Sequence, residues 1–70
     1  MAKSASVHKL IEVVGTSKES FADAARTAVG RTAKSVRGLE WFQVTELRGR
    51  IDGARITEFQ VTMKIGFKVK

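Results

Sequence analysis

The sequence predicts an α+β subunit: a strand over residues 7–14 (β1), a helix between Thr16 and Gly38 (α1), and strands over 39–51 (β2) and 55–69 (β3). They form a three-stranded antiparallel sheet of order β1-β3-β2 wrapped on the one helix. Three observations lead there. Residues 55–69 read R-I-T-E-F-Q-V-T-M-K-I-G-F-K-V, with Phe59, Val61, Met63, Ile65, Phe67 and Val69 on one side and Glu58, Gln60, Thr62, Lys64, Gly66 and Lys68 on the other. Such period-two alternation marks a strand with one buried face. Asp52-Gly53 then separates this run from the strand before it, and Asp-Gly supplies the positive φ angles of a two-residue type I′ turn, so the two runs form a hairpin. Finally, a strand-helix-strand crossover is right-handed with few exceptions. Outer strands that run parallel, with the last strand between them, make the sheet antiparallel throughout.

Each element has its own signals. The first six residues are small and polar and read as a loose tail. Residues 7–14 are rich in β-branched and aliphatic side chains and stop at Gly15, as a first strand does. Thr16 followed three residues later by Glu19 has the form of a capping box, with Glu19 placed where the helix dipole favours a negative charge. From there Phe21, Ala24, Ala25, Ala28, Thr32 and Val36 recur at helical spacing, and Arg37 with Gly38 supplies a cation and a C-cap. Most of that stripe is small, so the helix can approach a sheet closely while the large side chains of β3 provide the buried area. If Ile51 faces Ala54 across the turn, Val44 faces Val61 and Phe42 faces Met63 on the apolar side. Trp41 then faces Lys64 and Thr45 faces Gln60, so the single tryptophan and Gln60 share the outer face.

Size and charge narrow the function. Seventy residues make one domain, spanning 7–70 behind the tail of 1–6, and a chain this short hides only about 60% of the surface its unfolded form exposes. With no cysteine, disulfides, thiolate catalysis and Cys-zinc sites are excluded, and self-association is the remaining source of stability. No apolar stretch approaches the length of about 18 residues that spans a bilayer, and the first residues lack a signal-peptide core, so a cytoplasmic protein is expected. Thirteen Lys and Arg against seven Asp and Glu give a net charge of +6, which suits an anionic partner.

Enzymatic machinery is not in evidence. The sequence contains no G-x-x-x-x-G-K, G-x-G-x-x-G or H-E-x-x-H motif. The only histidine, His8, has no Ser, Cys or paired carboxylate at a recognisable spacing and reads as an ordinary surface or interface residue. Glu12, Glu40, Glu46 and Glu58 read as solvated or ion-paired side chains. The chain is expected not to be an enzyme, and no metal site is expected.

The segments V-H-K-L-I-E-V-V-G-T-S, G-L-E-W-F-Q-V, L-R-G-R-I and E-F-Q-V-T-M-K-I-G-F-K resemble, in order and spacing, the dodecins, small flavin-binding proteins of bacteria and archaea. The likeness covers nearly the whole chain from Val7 to Lys68. It implies a hollow homododecamer that holds flavins in pairs, their isoalloxazine rings stacked on one another between tryptophans of symmetry-related subunits. On that likeness Trp41 is the stacking residue and Gln60 the amide that hydrogen-bonds the polar edge of the ring. Arg48 and Lys68 resemble cations near the flavin phosphate and at coenzyme A sites. Lys68 stands where several relatives carry arginine, and lysine cannot form the bidentate phosphate clamp of a guanidinium. His8 stands where relatives often have an aromatic residue. The implied cofactor is FMN, with riboflavin, FAD and lumichrome as alternatives and coenzyme A as a further ligand; the implied function is flavin storage or buffering.

The residues agree with this without naming a flavin. An open indole suits a flat heteroaromatic ring, and glutamine offers both a donor and an acceptor. Without the resemblance, a lone tryptophan beside Phe42 and Val44 reads first as a partly buried edge-of-core residue. Arg48 and Arg50, flanking Gly49, read as solvated or subunit-bridging, and for Arg50 that reading stands. Two alternatives remain: a single-stranded nucleic-acid binder using an open basic sheet, and a shell that binds coenzyme A or a metabolite but little flavin. Against the first, Phe42, Phe59 and Phe67 fall on the helix side by register, whereas nucleic-acid platforms present several aromatics outward.

Overall fold

A computed structural model describes residues 5–69, so of the tail expected over 1–6 only Ala5 and Ser6 fall within the described residues. The elements run β1 (His8–Ser17), α1 (Phe21–Thr32), β2 (Leu39–Asp52) and β3 (Arg55–Lys68), and the sheet is antiparallel in the order β1-β3-β2. Fold class and strand order are as the sequence predicts. The element boundaries and the hairpin register differ, and each difference has a local cause.

β1 does not stop at Gly15 but continues to Ser17, pairing Gly15 with Val61, Thr16 with Gln60 and Ser17 with Phe59. Gly15 is there for helix contact. A Cβ on it would collide with the Ala24 carbonyl and sit 2.8 Å from the Ala28 methyl, so glycine lets the small helical stripe lie directly on the sheet. With Thr16 held in the ladder, it cannot cap the helix. Ser20 does so instead: its side-chain oxygen accepts the Asp23 N–H at 3.0 Å. Ser17 Oγ supports the same turn, accepting the Glu19 N–H at 2.8 Å and donating to Asp23 Oδ2 at 2.7 Å. The helix also ends sooner than Arg37, at Thr32, with turns closed by Ser35 and Val36 N–H groups on the Thr32 carbonyl. Gly38, at φ +79°, turns the chain into β2.

Gly53 has φ +67°, and among the described residues no non-glycine has positive φ, so the turn centres on Gly53-Ala54 in the type II′ pattern rather than on Asp52-Gly53 in type I′. Asp52 therefore faces Arg55. Bulges between Leu39 and Trp41, between Val44 and Glu46, and between Arg50 and Ile51 displace the register further. Val44 faces Met63, Phe42 faces Ile65, Trp41 faces Gly66 rather than Lys64, and Arg48 rather than Thr45 faces Gln60. The bulge at Thr45 has a reason in the sequence. It switches the parity of β2, so that Phe42, Val44 and Leu47 all share the helix side while Glu46, Arg48 and Arg50 share the outer side.

The core is small: Val61, Met63 and Ile65 of β3 with Ala24 and Ala28 of α1. α1 packs on β1 and β3 and scarcely touches β2. A helix of 12 residues is about 18 Å long, whereas a strand of 14 residues runs to about 46 Å. The hairpin outruns its cover. Phe42 is 52% exposed and Ile51 71%, with Leu47 and Ile56 open beside them. The radius of gyration is 15.0 Å, with extents of 60 × 21 × 14 Å, against about 11 Å for a compact chain of this length. Accessible surface is 5397 Å², where a compact monomer of this mass would show about 4,300 Å².

Candidate functional site

The outer face of the sheet, away from α1, carries two clusters. The first surrounds Trp41. The bulge after Leu39 makes Glu40 the extra residue, so Leu39 keeps the helix side opposite Phe67 while Trp41 emerges on the outer side opposite Gly66. Its indole lies across Gly66: a Cβ added there would run into three carbons of the six-membered ring. Glycine thus clears a bed for the ring in the middle of the central strand. On the β1 side, His8 meets the indole with ring centroids 5.0 Å apart and planes inclined at 56°. His8 Nε2 lies 2.8 Å from Glu40 Oε1, and Lys68 is the cross-strand neighbour of His8. With Gly66 beneath it and His8 beside it, Trp41 remains 44% exposed.

The second cluster surrounds Gln60. Arg48 faces it across the β2–β3 ladder. Gln60 donates through Nε2 to Glu58 Oε1 at 2.8 Å, which leaves its carbonyl oxygen and second N–H for another partner. Arg48 Nη1 lies 3.8 Å from Glu46 Oε1, an exposed and weak pairing. Arg50 faces Glu58, as a solvated or bridging residue would.

Trp41 and Gln60 do share the outer face, but Gln60 sits six residues along β3 from Gly66, a separation of about 20 Å. Within one chain the four residues divide into two pairs: Trp41 with Lys68, and Gln60 with Arg48. No single small ring can touch both. Sequence reasoning missed Gly66, His8 and Glu40 as parts of the indole support. Gly66 interrupts an otherwise clean alternation in a central strand, which is the one signal that announces a close approach.

Among the described residues, no three His, Asp or Glu side chains gather as a metal site would require, and no helix is long and apolar enough to cross a bilayer.

The sequence profile of the dodecin family matches residues 7–70. The dodecin of Thermus thermophilus is 42% identical over 64 residues, spanning 91% of this chain and 93% of its own length. Calcium dodecin of Mycobacterium tuberculosis is 32% identical over 65 residues, spanning 93% and 92%. The structure of dodecin from Streptomyces coelicolor superposes with a TM-score of 0.91 at 39% identity, covering 96% of each chain. With the family profile spanning the domain, relatives matched over nearly their full length and the same fold in a solved member, the chain belongs to the dodecin family.

Proposed function

We propose that this protein is a flavin-binding storage or buffering protein of the cytoplasm, not an enzyme, and that it holds FMN or a related flavin as stacked pairs between Trp41 side chains of a homododecamer. One observation carries the proposal: a single indole lies against a glycine of the central strand, is contacted by His8 and remains nearly half exposed. An indole prepared in this way stacks on a flat ring, and aromatic stacking contributes about 0.5–1.5 kcal/mol beyond area burial.

The division of the outer face adds a constraint. Because Gln60 and Arg48 stand about 20 Å along the sheet from Gly66, the backbone position opposite Trp41, a flavin stacked on one Trp41 takes its amide and guanidinium contacts from other subunits. The poorly covered apolar side of β2 supports the required assembly, since Phe42, Val44, Leu47 and Ile51 remain largely exposed within the chain. Gln60 would meet the donor-acceptor edge of the ring with its free carbonyl and N–H. Arg48 and Lys68 would meet phosphate, of FMN or of a coenzyme A molecule bound at the same surface.

A nucleic-acid platform is disfavoured by the register, which turns Phe42, Phe59 and Phe67 to the helix side. The test is direct. The purified protein should carry or take up flavin with its absorption spectrum, and light scattering should report twelve chains. Trp41→Ala should lose most flavin affinity and fluorescence quenching while the particle persists, because the core lies on the opposite face of the sheet. A Trp41→Ala protein that bound flavin like the parent and merely melted earlier would return Trp41 to a structural role.

A further inference from the structure

We propose that His8, held by Glu40, is a positioning residue for Trp41, and that its protonation tightens the binding of flavin to this chain. The inference rests on the flavin reading above. Its own evidence is the contact of the only histidine in the sequence with the only tryptophan, 5.0 Å between ring centroids. The imidazole is three-quarters covered, with a side-chain exposure of 26%, and its Nε2 is fixed by Glu40 at 2.8 Å. The bulge after Leu39 makes that arrangement by bringing consecutive residues, Glu40 and Trp41, to the side of the sheet where His8 stands. Glu40 thus holds His8, and His8 holds the indole against Gly66.

Histidine changes charge between about pH 5 and 8, and the change alters both ends of this chain of contacts. A neutral imidazole makes an ordinary hydrogen bond to Glu40 and a neutral ring contact with the indole. An imidazolium makes a charge-assisted bond, roughly twice as strong, and a cation–π contact at the indole. Both fix the platform more firmly and reduce the ordering that a flavin must otherwise impose. The charged groups facing His8 among the described residues are Glu40 from β2 and Lys68 from β3. On β1 itself Lys9 lies on the other face and Glu12 pairs with Lys64 farther along, while α1 lies behind the sheet.

The chain contains one Trp and no Tyr, so its ultraviolet emission reports Trp41 alone. In the flavin-free assembled protein, that emission should show a single step between about pH 8 and 5 as the imidazolium forms. His8→Gln should remove the step. Riboflavin, which carries no titrating phosphate, should bind about two- to fivefold more tightly below the step than above it. The His8→Gln protein should bind it at one affinity throughout, with the assembly intact by light scattering. A parent without the emission step, or a His8→Gln protein with the parent's pH profile for riboflavin, would overturn the assignment. A parent that shows the emission step but takes no flavin at any pH would instead refute the flavin reading and leave the His8–Trp41 contact standing.

Discussion

Gly66→Ala is the sharpest perturbation of the indole bed, because it adds one methyl group and takes nothing away. Gly66 does not have positive φ, so alanine fits its backbone, and at such a position Gly→Ala alone stabilises by about 0.4–1 kcal/mol. The methyl would nevertheless occupy space now filled by the Trp41 ring. β3 cannot yield, being paired with Leu10 on one side and Trp41 on the other. The indole must therefore lift or swing aside. A residue 44% exposed is a little over half covered; for a side chain of about 250 Å² that is roughly 140 Å², or at most about 3.5 kcal/mol. Losing about half of it, against the gain from alanine, leaves the fold about 1 kcal/mol weaker, a fall of several degrees in Tm.

Flavin binding should suffer more, since a displaced ring offers neither the plane nor the position for stacking. A loss of about 10- to 100-fold in FMN affinity, or roughly 1.4–2.8 kcal/mol, is expected. Titration of FMN followed by flavin quenching measures the affinity, and the emission maximum of Trp41 should shift to the red as the ring becomes wetter. Light scattering should report an unchanged assembly. If Gly66→Ala bound FMN with the parent affinity and the parent emission spectrum, the glycine bed would have no part in holding the platform.

Gln60→Ala should weaken flavin binding by roughly 1–3 kcal/mol through an unpaired ring edge, while any flavin that does bind stays quenched because stacking persists; a bound flavin as bright as free flavin would argue against the division of roles. FMN should bind more tightly than riboflavin, and titrations at low and high salt should show that advantage shrinking as Arg48 and Lys68 are screened; equal affinities at both salts would leave stacking as the only contribution. Gly15→Ala should push α1 off the sheet, because its Cβ meets the Ala24 carbonyl. The expected cost is about 1–3 kcal/mol by denaturant titration, and a parent-like midpoint would show that the helix can shift freely.

Fold class and strand order were legible because they depend on average properties of long segments: the alternation of β3, the small-residue stripe of α1 and the handedness of the crossover. Residue-level geometry depended on single residues with two meanings. Gly15 looks like a strand end but is a contact point for Ala24 and Ala28, so the capping signal of Thr16 and Glu19 was outcompeted by the ladder and passed to Ser20. Asp52-Gly53 fits a type I′ turn, yet Gly53 alone takes positive φ. That one step moved the partner of Trp41 from Lys64 to Gly66, the bulges at Arg50/Ile51 and Val44/Glu46 cancelling there, and together with the bulge at Arg50/Ile51 it moved the partner of Gln60 from Thr45 to Arg48. The outer face survived the error because the turn displaced the register by an even step, which preserves parity, and the bulges at Arg50/Ile51 and Val44/Glu46 offset each other before Trp41. Parity is set by the hydrophobic pattern, whereas position along the strand is set by turn and bulge geometry.

The same feature that makes the protomer a poor monomer divides its ligand surface. A hairpin of two 14-residue strands on a 12-residue helix leaves Phe42, Leu47, Ile51 and Ile56 uncovered, and it carries Gln60 and Arg48 about 20 Å from Trp41. A shorter hairpin would close the core over one helix and also bring amide, guanidinium and indole within one chain. Under the proposed reading, neighbouring chains cover the apolar surface of the long hairpin and supply the polar contacts that one chain lacks at Trp41. Under the proposed reading a flavin then binds only where chains meet, so its binding free energy adds to the assembled state and not to the free protomer. On that reading the geometry of the hairpin by itself couples assembly to ligand binding.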